Sequence, residues 1–144
     1  MVFQLLDVVE DGARLQPDRQ VLVTDTGDAS RTWGELNERS SRVAAALAAE
    51  GVGSGSRVAY LDVNSLEFFE LLFGARRLGA VLAPLNWRLT ALEIGQIVQD
   101  AQASVLVLGI RFAAWPRTSG PRLMACSRTS SGWEAKGLMA TNSG

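Results

Sequence analysis

The sequence predicts an α/β fold: a partial doubly wound parallel sheet of successive β-α-β units, with an N-terminal helix and a short hairpin before it and an irregular C-terminal tail after it. Three observations carry this. Short apolar runs of buried-strand type alternate with segments of helical period between residues 57 and 108. The helical segments open on a capping residue with Glu three positions later, and glycine follows two of them. The links are short, which favours parallel strands joined by right-handed crossovers.

Taken in order, Phe3 to Leu15 reads as a surface helix, and Val21 to Thr24 pairs with the residues around Thr32 across the turn Thr26-Gly27-Asp28. Thr32 and Glu35 form a capping box for a helix that carries Leu36, Val43, Ala44 and Leu47 and ends near Gly51. Val58 to Leu61 is a strand. Asn64 is the expected cap of the next helix, with Glu67 reaching back and Leu66, Phe69, Leu72, Phe73 and Arg76 at helical spacing before Gly79. Ala80 to Leu85 is a second strand. Thr90 and Glu93 open a helix with Ile94, Ile97, Val98 and Ala101 on one face, and Ser104 to Leu108 is a third strand.

From Ile110 the pattern fails. Trp115, Pro116, Gly120, Pro121, Gly132 and Trp133 are interspersed with Ser, Thr and Arg without either period. Charge shifts at the same place: residues 1–109 hold fourteen acids and nine arginines, whereas residues 110–144 hold one acid and five basic residues. Two domains are therefore expected, 1–109 as the patterned unit and 110–144 as an unrelated, disordered tail. Thirteen arginines to one lysine suit a GC-rich gene, in which the tail would be an out-of-frame reading.

Composition narrows the function classes. A formal charge of −1 gives no electrostatic case for nucleic acid, and 47% hydrophobic residues suffice for a core. No apolar run approaches the roughly 18 residues of a membrane span, and the acidic start MVFQLLDVVEDG is unlike a signal peptide, so a cytoplasmic location is expected. With no histidine and a single cysteine, Cys126, histidine-based catalysis, paired-cysteine metal sites and internal disulfides are excluded.

The stretch RTWGELNERSSRVAAALAAEGVGSGSRVAYLDVNSLEFFELLFGARRLGAVLAPLNWRLTALEIGQIVQDAQASVLVL resembles the opening of the adenylate-forming acyl-CoA synthetase and luciferase superfamily, over residues 1 to about 109. Thr32-Trp33-Gly34-Glu35-Leu36 matches one shared motif and Ala75 through Asn86 a second, while Pro84 to Thr90 is most similar to fatty-acyl and other carboxylic-acid CoA ligases. The resemblance implies a family reaction in which a carboxylic acid and ATP give an acyl-adenylate that passes its acyl group to CoA, with ATP, Mg2+ and CoA as the family's cofactors. It also implies that the reacting groups lie elsewhere: a Ser/Thr/Gly-rich phosphate loop ending in Lys, a Tyr-Gly-x-Thr-Glu strand end, an Asp for the ribose and a C-terminal Lys. Tyr60 is followed by Leu61-Asp62, and Lys136 by Gly137-Leu138, so neither takes a family role. No catalytic, cofactor-binding or metal-ligating residue is therefore expected in this chain, and no cofactor of its own.

Other features have ordinary explanations. The loop Gly51-Val52-Gly53-Ser54-Gly55-Ser56 leaves a helix and enters a strand, the reverse of a phosphate cradle, and reads as a connector. Thr118-Ser119-Gly120 lacks the glycines and lysine of a phosphate loop. Asp62 and Asn64 lie at a strand's carboxyl end, where parallel sheets bind ligands, but capping and turn chemistry is the expected explanation of both. Arg76-Arg77 complement a helix C-terminus, Arg88 reads as a solvated or structural arginine, and Cys126 as an inert thiol.

Three functions of different class follow. The first is a truncated N-terminal fragment of an acyl-CoA synthetase, inactive alone. The second is half of a split ligase completed by a separately encoded remainder, packed against aggregation-prone sheet edges. The third is a stand-alone α/β binding module.

Overall fold

The structure is a computed structural model that describes residues 5–112, 122–129 and 132–138. Four helices, α1 (Leu5–Leu15), α2 (Trp33–Ala49), α3 (Leu66–Arg77) and α4 (Ala91–Asp100), accompany seven strands: β1 (Gln20–Val23), β2 (Ser30–Thr32), β3 (Arg57–Leu61), β4 (Val81–Pro84), β5 (Val105–Leu108), β6 (Arg122–Thr129) and β7 (Gly132–Leu138). β1 and β2 form the expected antiparallel hairpin. The other five make one sheet in the order β4-β3-β5-β6-β7, parallel except for the β6–β7 pair.

Alternation along the strands assigns the two faces. Val58, Tyr60, Val105 and Val107 pack with Val43 and Leu47 of α2 and Leu71 and Ala75 of α3. Ala59, Leu61, Leu106 and Leu108 face the other way, onto Ile94 and Val98 of α4. β3 to β4 steps one way across the sheet with α3 on the first face, and β4 to β5 steps back with α4 on the second. Reversing both direction and face keeps the hand of the two crossovers the same, as right-handed β-α-β units require.

The capping boxes Thr32–Glu35 and Thr90–Glu93 form as the sequence predicts, each hydroxyl accepting from the Glu backbone N–H while the carboxylate accepts from the Thr N–H. At α3 the cap is displaced by one residue. Ser65 is extended and its Oγ accepts from the Phe68 N–H, so Ser65 replaces Asn64 as N-cap and Glu67 falls out of capping-box register. Gly79 ends α3 at φ 68°, the left-handed conformation that lets the chain turn directly into β4. On α4, Ile94 and Val98 are buried but Ile97 is 41% exposed, at the flank of the stripe expected to include it.

One further difference lies after residue 109, where an irregular tail was expected. Residues 122–129 pair in parallel with β5, and residues 132–138 return beside them. Backbone groups along the β5 edge accept a strand whatever its side-chain pattern, so sequence periodicity gave no signal for it. Residues 1–4, 113–121, 130–131 and 139–144 lie outside the described residues, and with them the expected helix start at Phe3 and Thr118-Ser119-Gly120.

Candidate functional site

In an open parallel sheet, ligands enter at the carboxyl edge where neighbouring strands send their connections in opposite directions. Here that point falls between β3 and β5, since β3 leads outward to β4 while β5 leads on toward β6. Asp62 follows β3 and Gly109 follows β5. A Cβ on residue 109 would fall on the Asp62 carboxylate, so glycine is required for the two loops to meet. Asp62 Oδ1 accepts from the Val63 N–H at 2.8 Å, the turn chemistry expected of it. Asn64, singled out with Asp62, is exposed and is not the cap.

On the next strand along this edge, Asn86 Oδ1 accepts from the Arg88 N–H at 3.1 Å, and the Arg88 guanidinium lies 4.6 Å from the centre of the Trp87 ring. Arg88 is thus an exposed side chain stacked on an exposed ring. Arg77 does more than complement a helix end. It donates to Asn37 Oδ1 at 2.6 Å, to Ser40 Oγ at 3.2 Å and to Glu10 Oε1 at 3.1 Å, tying α1, α2 and α3 together. Arg76 is exposed. Tyr60 is a core residue, 2% exposed, with its hydroxyl donating to the Val63 carbonyl.

The glycine-rich loop does not fit a triphosphate. It lies at the amino end of β3, opposite the carboxyl-edge crevice, and its N–H groups are spent internally: Gly53 donates to Ser56 Oγ and Gly55 to the Gly79 carbonyl. Among the described residues no group of three or more acidic, Cys or His side chains is placed to hold a metal ion.

A feature that the sequence reading missed lies beneath the hairpin. Glu70 of α3 is fully buried and accepts from Arg31 Nε of β2 at 2.7 Å, with Arg39 Nε of α2 at 3.9 Å. Its position, four residues after buried Leu66 and three before Phe73, puts a carboxylate on the apolar stripe, and that was the available signal. Both arginines line a cleft of about 600 Å³ between the hairpin and the β3–α3 loop.

Parallel strands with helices on both faces, a capped helix entry at Thr32–Leu36 and a helix exit into a strand within Ala75–Asn86 define the class: the chain belongs to the AMP-binding enzyme family, which it matches over residues 9–136. It is 38% identical over 111 residues to the fatty acid–acyl-carrier-protein ligase ScoC of Streptomyces coeruleorubidus, covering 74% of this chain and 21% of that protein. It is 39% identical over 97 residues to the long-chain-fatty-acid–CoA ligase FadD13 of Mycobacterium tuberculosis, covering 67% and 19%. The inhibitor-bound N-terminal domain of FACL13 from Mycobacterium tuberculosis superposes with a TM-score of 0.73 at 34% identity, over 78% of this chain and 28% of that one. The chain therefore spans about a fifth of the length of the curated relatives it matches. No helix among the described residues is long and apolar enough to cross a membrane.

Proposed function

We propose that this polypeptide is the N-terminal scaffold of an acyl-CoA ligase of fatty-acid or related carboxylic-acid type, and that it makes no acyl-adenylate by itself. One observation carries the reading: both family motifs are spent on architecture, as the Thr32–Glu35 cap of α2 and the Gly79 turn into β4, and neither presents a nucleophile, acid or base. ATP–pyrophosphate exchange with a panel of fatty acids tests it. The 144-residue chain is expected to give no exchange, and exchange by the purified chain would overturn the proposal.

The exposed flank of β4 supports a second reading, a half ligase completed in trans. Val81 is 55% exposed on the edge strand and Trp87 is 40% exposed beyond its end, the kind of surface that packs against further protein. Exchange activity that appears only when a separately encoded remainder is added would select this reading. The cytoplasm is the proposed compartment on either.

The proposed boundary near residue 109 rests on the reversal of charge and the loss of side-chain period there. The family match to residue 136 and the β5–β6 pairing count against a frame change. Translating the other frames of the DNA after codon 109 decides between them.

A further inference from the structure

The two outer edges of the five-stranded sheet are unequal. β4 is four residues long, and the hydrogen bonds from the Val81 N–H to the Ser56 carbonyl and from the Leu85 N–H to the Tyr60 carbonyl turn its odd-numbered residues toward β3. Leu82 and Pro84 therefore face outward, and proline has no N–H, so this edge offers a further strand the Leu82 donor alone. β7 is seven residues long, contains no proline and has no neighbouring strand on its outer side among the described residues. Its free positions follow from the same alternation. The Gly109 N–H donates to the Leu61 carbonyl, which with the β3–β5 and β5–β6 registers gives Arg122 and Met124 to β5 and leaves Leu123, Ala125 and Ser127 to bond across to Leu138, Lys136 and Glu134. Trp133, Ala135 and Gly137 then turn their backbone N–H and C=O groups to the open edge.

We propose that this protein forms a two-fold dimer by antiparallel pairing of β7 with β7 of a second copy, centred on Ala135. In that register Ala135 meets Ala135 and Trp133 meets Gly137 of the second copy, so outward positions meet outward positions and the whole strand pairs. Charge selects the same register. Glu134 stands opposite Lys136 of the second copy and Lys136 opposite its Glu134, an opposite-charge pair made twice by the two-fold axis. Moving the centre by one residue, to Glu134 or to Lys136, sets a carboxylate or an ammonium against its own copy, which is unfavourable. Moving it to Trp133 or Gly137 leaves only one end of the strand paired. The result is a closed assembly in which one sheet continues through both copies and stops at the two β4 edges, where Pro84 discourages further addition. This inference does not rest on the proposed ligase function.

Sedimentation of the full 144-residue protein over a range of concentrations is the test, and a monomer–dimer equilibrium is expected. Glu134→Lys and Lys136→Glu each oppose like charges twice and are expected to weaken the dimer at least about tenfold. Mixed in equal amounts, these two variants are expected to pair with each other in preference to themselves, because one then carries two lysines and the other two glutamates in register. Ala135→Pro removes the N–H at the axis without touching the β6–β7 bonds, and is expected to abolish the dimer while far-UV circular dichroism stays unchanged. If that variant does not fold, the charge variants decide alone. Val81→Lys, on the opposite edge, is expected to dimerise as the parent does. A chain that stays monomeric at every concentration, assembly beyond the dimer, unchanged affinity in both charge variants, or no preference for the mixed pair would overturn the proposal.

Discussion

Glu70 has no contact with water, and its removal would strand two guanidinium groups under the hairpin. Glu70→Ala is therefore expected to cost about 3–5 kcal/mol in urea denaturation, the usual penalty for breaking a buried ion pair from one side. Replacing both partners of the close pair with apolar residues, Glu70→Leu with Arg31→Met, is expected to recover part of it, because of the two guanidinium groups only the more exposed Arg39 then remains without its carboxylate. At Gly109 the expected fault is crowding. Gly109→Ala is expected to lose about 1–3 kcal/mol, and Asp62→Gly in the same chain should restore much of that loss, because it clears the Asp62 Cβ as well as the carboxylate from the added methyl, a coupling that a double-mutant cycle measures. Asp62 was legible in the sequence as a strand-end residue, but its partner Gly109 was not, because 46 positions of chain separate them and only sheet order brings them together.

Helix entries were the most legible elements. Thr32 and Thr90 cap as their sequence windows predict, because a capping box is closed within four consecutive residues and needs no tertiary information. Thr32→Ala is expected to cost about 1 kcal/mol in thermal or urea unfolding. At Thr90 the effect is tied to pH. Hydrogen bonds from the Thr90 backbone N–H and then its hydroxyl hold the Glu93 carboxyl below its ordinary value. Folding thus favours the ionised form, so this contribution is complete above the ordinary Glu range and is lost as pH falls through the lowered, folded-state value. Stability profiles of the parent and of Glu93→Gln are expected to differ at neutral pH and to converge in acid. The α3 cap was misplaced by one residue because Asn64 and Ser65 are adjacent competent caps, and the backbone angle that chooses between them is set by the path out of β3. A single apolar stripe also underestimated α3, which packs Leu71 and Ala75 onto the sheet and Phe73 onto Val9 and Leu36.

For the molecule as a whole, sheet edges govern behaviour. Cutting the chain after residue 109 removes β6 and β7 and opens the β5 edge while β4 remains open on the other side. Residues 1–109 alone are expected to be marginally stable and to aggregate relative to the full chain, as light scattering during a thermal melt will register. A cooperative, monomeric melt of that piece would show that the α2–α3 and α4 layers suffice without the added strands. The sequence by itself determined the helices, the three apolar strands, their parallel connection and the family, because each is written in local spacing and capping chemistry. Tertiary structure alone decided where Glu70 finds its arginines, which glycine lies against Asp62 and what pairs with β5, because those contacts join residues whose proximity depends on strand order and on which face each helix covers.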